Sequence, residues 1–300
     1  MHTRTPFPYI WAGLGFAVMV AIGASVGLHQ ITRPTDTLGD VPANQQNAGV
    51  TTTQFITANP INLSQVDQIS VFRSCVEKDF SGLDVDGVSE TNRSMNHYIQ
   101  PLESLLTSGA KIAVNAPFNG VIKAIVPSDA GSQVWLVPTV DATWNMVIDH
   151  LDLAPGFSIG SEITSSVPLG FAHVSETNPY FAIALVSYGR ALKGTEYEKF
   201  ISVAGTQSRG FIQTAHAAID ITGKTNTSGQ TTQSPTAQIS GLPARTLDSL
   251  FNHMIPSISK QYVERGVSAT SAIFSKQARD DELCDYGSKK DSSTYWVELH

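Results

Sequence analysis

The sequence contains no cluster of lysine and arginine residues. Its 19 basic residues are scattered and are outnumbered by 26 acidic residues, which gives a formal net charge of −7 at pH 7. Proteins that bind the phosphate backbone of DNA or RNA present a basic surface to it. The composition therefore excludes nucleic acid from the expected partners.

The sequence also lacks the Gly-x-Ser-x-Gly motif that presents the nucleophile of α/β-hydrolases. The stretch GTQSRG (205–210) does not match it, and nothing else in the chain anchors a catalytic triad. Charged residues make up only 15% of the chain and hydrophobic residues 41%. These fractions exclude a disordered chain and a multi-spanning membrane protein, so we expect the 300 residues to form one large domain or two small ones.

Long hydrophobic runs are missing except near the N-terminus, where YIWAGLGFAVMVAIGASVGL extends from Tyr9 to Leu28 without a charge. A helix needs about 20 apolar residues to cross roughly 30 Å of hydrocarbon. We therefore expect residues 1–28 to form a membrane anchor, with Arg4 favouring a cytoplasmic N-terminus, or a signal peptide cleaved near AIGASVG. In both cases the body is exported, either tethered to the cell membrane through residues 9–28 or secreted.

Cysteine is scarce, and the two residues of this type, Cys75 and Cys284, lie far apart in the sequence. Exported proteins keep disulfides, so we expect a bond between them. Such a bond would close a long loop and stabilise the fold by roughly 4–5 kcal/mol in the entropic model. Two unpaired buried thiols remain the alternative.

The pattern of apolar residues indicates a mainly β protein. Residues 111–188 contain several short runs rich in β-branched residues, separated by Gly, Pro, Asn and Asp, with no helix-length segment between them. This pattern predicts an antiparallel sheet or a barrel-like sandwich. We expect a flexible stalk (29–60), a β-rich domain (61–221), a Ser/Thr/Gly-rich loop (222–245) and a C-terminal helical appendage (246–300), in which Leu247, Leu250, Phe251, Met254 and Ile258 have helical spacing.

Four segments of the β-rich region resemble, in order and spacing, the core of a known family. They are APFNGVIKAI (116–125), MVIDHLDL (146–153), GFSIGSEITSSVPLGF (156–171) and YFAIALV (180–186). The set is similar to the lysostaphin-type murein endopeptidases, which are zinc enzymes with a duplicated hybrid motif. The resemblance implies that fold and, where the metal ligands are present, cleavage of the bacterial cell wall.

The zinc ligands of that family are not matched in this sequence. Lys78 stands where the family has its first histidine, and Gly82 stands where it has an aspartate. The strand that carries a His-x-His pair in the family reads YFAIAL here, without histidine. A hydrolytic zinc site needs three protein ligands and an open position for water. The resemblance therefore implies a pseudoenzyme without zinc or another cofactor, in which His150 corresponds to the accessory histidine of the family.

Five residues are candidates for binding a ligand. His150 lies at the end of the second segment, Asp152 follows two residues later, and Tyr180 opens the fourth segment. Arg93 and His97 lie upstream, next to an aromatic residue, and could line a ligand groove.

Three functions are compatible with these residues. We expect a non-catalytic protein of the cell envelope that binds a wall glycan, a wall peptide or a partner protein, although fold is only an analogy for function. The alternative is a metal-dependent cell-wall hydrolase with a rearranged site made from His150, Asp152, His97 and Asp79. A purely structural module, which binds a partner protein and not the wall, is a third hypothesis.

Overall fold

The computed structural model describes residues 53–128, 130–206, 242–284, 286 and 292–300. The hydrophobic run 9–28, most of the expected stalk and most of the Ser/Thr/Gly-rich loop lie outside these residues. The described residues belong to one compact unit, Val50–His300. In this part of the chain no helix is long and apolar enough to cross a membrane.

The described residues form a mainly antiparallel β structure, which confirms this part of the predicted fold class. One sheet of 11 strands accounts for most of the regular structure. The finer prediction of a duplicated hybrid motif stays a prediction. The strands are Val66–Ser70 (β1), His97–Pro101 (β2), Ile112–Asn115 (β3), Gly120–Ser128 (β4), Gly131–Pro138 (β5), Trp144–Leu153 (β6), Glu162–Ile163 (β7), Pro168–Ala172 (β8), Phe181–Ser187 (β9), Thr246–Asp248 (β10) and Trp296–Glu298 (β11).

Helices are short and few in the described residues. The α-helices are Glu103–Thr107 (α1), Gly194–Thr206 (α2), Pro256–Val263 (α3) and Lys276–Asp281 (α4), and 3-10 helices cover Leu63–Gln65, Leu250–His253 and Ser292–Tyr295.

The sheet branches at two of its strands. Its main path runs in the order β11-β1-β2-β9-β6-β5-β4-β7. Strand β10 pairs with β9 beside β2, and β8 pairs with β6 and with β3. All of these neighbours are antiparallel, which agrees with the short connections that the sequence places between the runs.

Strand β9 lies at the centre of the sheet and is buried along its whole length. Phe181, Ile183 and Leu185 point into the larger apolar cluster on one face. Ala184 and Val186 point into a second cluster on the other face, which helix α2 covers with Tyr197 and Phe200. A strand packed on both faces reads as a continuous apolar run, as FAIALV does, and not as an alternating one.

The expected stalk ends earlier than its predicted boundary at residue 60. Phe55, Ile56 and Ala58 are buried, and the ring centroid of Phe55 lies 5.6 Å from that of Phe118. The backbone N–H groups of Phe55 and Ile56 both donate to the carbonyl of His253, at 3.0 and 2.9 Å. The apolar residues of this segment therefore complete the core. The sequence predicted a stalk here because most of the neighbouring residues are polar.

The C-terminal region is not a helical appendage. Residues Thr246–Asp248 form β10, which pairs with β9, and Trp296–Glu298 form β11, which pairs with β1. Helix α3 begins at Pro256, because proline fits the first turn of a helix and forces the preceding residue, Ile255, into an extended conformation. Of the apolar residues that precede Pro256, Leu247 lies in β10, Leu250 and Phe251 lie in a 3-10 helix, and Met254 forms an isolated bridge with Ile56.

Candidate functional site

The site lies where strand β6 changes partners. β6 pairs with β9 over residues 144–148 and with β8 over residues 151–153. On its other edge, a shift in register places Asp149 and His150 together opposite Gln133 of β5. Two residues opposite one form a β-bulge, which bends the strand and redirects its side chains.

His150 adopts an unusual backbone conformation at this bulge. Its φ is 57°, in the left-handed region that non-glycine residues uncommonly occupy. The backbone N–H donates to Oδ1 of Asp149 at 3.0 Å, and the carbonyl accepts from the N–H of His173 at 2.7 Å. These bonds hold a conformation that costs about 1–3 kcal/mol, which indicates that the surroundings of His150 impose its orientation.

The imidazole of His150 is buried, with 4% of the residue exposed. Its Nδ1 lies 3.2 Å from the carbonyl oxygen of Tyr180. Nδ1 also lies 3.4 Å from Nδ2 of Asn178. Because a carbonyl only accepts, the shorter contact is a hydrogen bond in the tautomer that carries its proton on Nδ1 and presents a lone pair at Nε2. Nε2 is buried and has no hydrogen-bond partner among the described residues.

Charged side chains surround this imidazole. Burial lowers the pKa of His150 below its usual value, Asp149 raises it, and Lys78 and His173 lower it. Burial likewise lowers the pKa of Lys78, against the opposing effects of Asp149 and Glu77. Lys78, at the position that the sequence resemblance assigned to a zinc-binding histidine, therefore acts electrostatically on His150.

Aromatic rings border the charged groups. Tyr180 is half-buried, its hydroxyl donates to Oε1 of Glu77, and its ring packs edge-on against Tyr98 with the centroids 5.3 Å apart. The half-buried ring of Trp296 also lies next to Tyr180, with the centroids 6.0 Å apart. We call the set Glu77, Lys78, Asp149, His150, Tyr180 and Trp296 the His150 site.

A disulfide holds one wall of the His150 site. Cys75 and Cys284 are bonded, with their Cα atoms 5.3 Å apart. Cys75 lies two residues before Glu77, so the bond fixes the segment that carries Glu77 and Lys78. The buried guanidinium of Arg279 donates to Sγ of Cys75 at 3.0 Å.

Asp152 lies next to the site and not within it. Its carboxylate accepts from Nδ1 of His173 at 3.0 Å, and both side chains are about half exposed. His173 in turn donates its backbone N–H to the carbonyl of His150. Asp152 is therefore connected to His150 only through His173.

Arg93 is committed to a structural ion network elsewhere. It is 2% exposed, and its guanidinium binds Glu90 at 2.7 Å and Asp280 at 2.8 Å. Arg73 binds the same Glu90 carboxylate at 2.7 Å. This network connects the loop after β1 to α4, so the structure does not place Arg93 in a ligand groove.

His97 belongs to the core. It lies on β2 next to Tyr98, so its side chain leaves the opposite face of the strand. Nδ1 lies 2.8 Å from the carbonyl oxygen of Ser70 and Nε2 lies 2.8 Å from Oγ of Ser249. Both ring nitrogens are used, and burial lowers the pKa of His97 to about 4.

The residues present do not fit the zinc ion of the family that the sequence resembles. Lys78 offers an ammonium, which donates and cannot ligate a cation while protonated. A Cβ at Gly82 would lie 2.9 Å from the carbonyl oxygen of Arg245, which leaves little room for a carboxylate there. In the described part of the chain no three His, Cys, Asp or Glu side chains form a group that could hold a metal ion.

The rearranged metal site is not assembled either. His97 lies on the other face of the sheet with both nitrogens bonded. The carboxylate of Asp79 accepts from the hydroxyl of Ser81 at 2.6 Å and from the backbone N–H of Asn92 at 3.2 Å. Three of the four proposed ligands, His97, Asp79 and Asp152, are therefore bonded to partners outside the set.

Comparisons with known proteins found only distant structural similarity. No family model and no curated protein match the chain. The chain is similar to two crystal forms of Helicobacter pylori Csd3, orthorhombic and hexagonal, with TM-scores of 0.31 and 0.29 and 14% sequence identity in each case. These matches cover 55% of this chain and 44% and 42% of those chains.

The chain is also similar to the solution structure of lysostaphin, with a TM-score of 0.27 and 13% identity, over 44% of this chain and 55% of that chain. The chain thus spans about half the length of the proteins it matches. At these TM-scores the similarity supports no functional argument. The proposed function therefore rests on the residues of this chain.

Part of the His150 site was predictable from the sequence. His150 and Tyr180 were candidate binding residues and are in contact, and Lys78 was noted only as a replaced ligand. Glu77, Asp149 and Trp296 were not among the candidates. The spacing to Cys75 is a signal that could have drawn attention to Glu77, whereas Trp296 reaches the site only through the pairing of β11 with β1.

Proposed function

We propose that this domain binds a cell-wall glycan without cleaving it and that the His150 site is the binding surface. The observation that carries the proposal is the pair of half-buried rings, Tyr180 and Trp296, beside a cluster of charged groups in the place where the resembled family has metal ligands.

The aromatic rings suit the apolar face of a sugar. The face of an aromatic ring is negative and attracts the weakly positive C–H groups of a pyranose, and a rigid ring loses little conformational entropy on binding. Two neighbouring rings offer more contact area than one.

The charged groups suit the hydroxyl and acetamido groups of a glycan. Glu77 is exposed and accepts hydrogen bonds, and the half-buried ammonium of Lys78 donates them. His150 serves as a positioning residue, because its Nδ1–H bond to the carbonyl of Tyr180 holds the start of β9 in place. The site thus combines apolar contact with a few polar groups that fix orientation, which is usual for ligand sites.

Removing the aromatic contact should weaken binding of the wall polymer. We expect Trp296→Ala to lower the affinity of the full chain for purified sacculi about tenfold, and His150→Ala to lower it by a similar factor through loss of the Tyr180 bond. Sedimentation of the protein with sacculi measures this. Lys260→Ala is the matched control, because Lys260 is exposed and pairs only with the neighbouring Glu264 in the described structure.

Three results would contradict the proposal. One is unchanged binding of the Trp296→Ala variant while its thermal unfolding matches the wild type. Another is loss of wild-type binding when an amidase strips the peptides from the sacculi, because a glycan site does not need them. The third is release of soluble wall fragments by the purified protein in the presence of zinc.

We also propose that the body is exported and that residues 9–28 attach it to the membrane. The disulfide between Cys75 and Cys284 supports export, because such bonds persist in oxidising compartments and are rare in the cytosol. Protease added to intact cells or spheroplasts should digest the body and spare a cytosolic marker. Full protection of the body until the cells are lysed would show that it lies in the cytosol.

A further inference from the structure

A concave surface lies apart from the His150 site and shares no residue with it. It is a cleft of about 450 Å³ between the segment Ala58–Ser64, the end of β3 and the C-terminal end of α3. Ligand sites usually have volumes of about 300–1,000 Å³. The lining residues are Ala58, Asn59, Ile61, Asn62, Leu63, Ser64, Asn115, Ser166, Gln261, Glu264 and Arg265.

Hydrogen bonds between the segments that line the cleft fix its shape. Nδ2 of Asn59 donates to Oε1 of Gln261 at 2.7 Å, which connects the N-terminal segment to α3. The backbone N–H of Asn115 donates to the carbonyl of Pro60 at 2.8 Å. Ser166 has a φ of 72°, a conformation that non-glycine residues uncommonly adopt, and its N–H donates to the carbonyl of Ala116 at 2.8 Å. The cleft is therefore preformed.

An unpartnered cation lies at one end of the cleft. Arg265 is half-buried, and its guanidinium forms no hydrogen bond, ion pair or ring contact within the described residues. The neighbouring carboxylate of Glu264 does not neutralise it, since Glu264 is exposed and pairs with Lys260 at 3.6 Å. The planar guanidinium binds carboxylates through two parallel hydrogen bonds.

The remaining polar groups of the cleft are mostly side-chain amides. Asn115 offers N–H donors and a carbonyl acceptor, and Ser166 adds a hydroxyl group. Asn62 offers its N–H donors, since its Oδ1 already accepts from the backbone N–H and the hydroxyl of Ser64, at 3.0 and 2.9 Å. A peptide backbone presents the complementary donors and acceptors. None of the described residues that line the cleft is aromatic, so the cleft lacks the ring platform that distinguishes the His150 site.

We infer that this cleft binds a short peptide with a free C-terminal carboxylate. Arg265 receives the carboxylate, and the asparagine and serine side chains pair with the last amide groups of the peptide. The inference is independent of the glycan proposal, because the two surfaces have no residue in common.

Titration of the full chain in detergent with trialanine tests this. We expect trialanine to bind and its C-terminal amide to bind at least tenfold more weakly, because the amide cannot form the charge-assisted pair with Arg265. Arg265→Gln should lose at least tenfold in affinity for trialanine, and Asn115→Ala should lose severalfold. Lys193→Gln removes one positive charge at an exposed residue that does not line the cleft, and this variant should bind as the wild type does.

Several outcomes would overturn the inference. They are no binding of trialanine, equal binding of the acid and the amide, wild-type affinity in Arg265→Gln, or an equal loss in Lys193→Gln, which would indicate a general charge effect. Acetate that binds as tightly as trialanine would show that the amide groups contribute nothing. Thermal unfolding of each variant establishes that it is folded.

Discussion

The double variant Cys75→Ser/Cys284→Ser is expected to lose about 2–5 kcal/mol of its free energy of unfolding. The two residues are 209 positions apart, so their bond closes most of the chain into one loop and strongly restricts the unfolded state. Chemical denaturation at neutral pH measures the loss. Adding a reductant to the wild-type protein should lower its stability by a similar amount.

The double variant itself is the control for the reductant, since it has no disulfide and should not respond. The same denaturation midpoint for the wild type and the variant would show that the bond contributes nothing.

A local effect is also expected at the His150 site, because Cys75 lies two residues before Glu77. Removing the bond should therefore weaken binding of sacculi as well.

Acidification from pH 7 to pH 4 should destabilise the protein through His97. The pKa of His97 is about 4 in the folded protein and about 6.5 in the unfolded chain. Above pH 6.5 both states are neutral at this residue and stability is complete. Between pH 6.5 and pH 4 only the unfolded chain takes up a proton, so unfolding becomes easier, by about 3 kcal/mol at the lower limit.

Denaturation curves between pH 7 and pH 4.5 for the wild type and His97→Gln measure this effect. The variant should be less stable at pH 7, because it loses bonds to Ser70 and Ser249, but its stability should depend less on pH. His173→Gln, which changes an exposed histidine, should keep the pH dependence of the wild type. Parallel curves for His97→Gln and the wild type would show that His97 is not the residue that titrates.

Strand β4 shows why the sheet could be predicted from the sequence. Gly120, Ile122, Ala124 and Val126 are buried and the residues between them are half-buried, which matches the two-residue period of a strand. Strand β9 is an unbroken apolar run because both of its faces are covered. In both strands the preference for β structure comes from a few neighbouring residues, so it can be predicted without knowing the fold.

The five candidate binding residues show where that reasoning fails. In the sequence Arg93 and His97 are polar residues next to Tyr98, as a groove would have. In the structure Arg93 is neutralised by Glu90 and Asp280, which is 187 positions away, and His97 bonds to Ser249, 152 positions away. A polar residue can have the same sequence neighbours whether its side chain is buried and fully paired or exposed and free to bind a ligand. Only the partners from distant parts of the chain distinguish the two cases.

The sequence by itself determined the antiparallel β character and the net acidic charge. The tertiary structure alone decided that β11 pairs with β1, bringing Trp296 beside Tyr180, and that residues 58–64 meet α3 to form the cleft. The physical reason is the distance along the chain over which each interaction acts. Side-chain periodicity and turn preferences act over a few residues, whereas contacts between distant segments form only when the apolar area buried by the whole chain compensates the entropy of closing long loops.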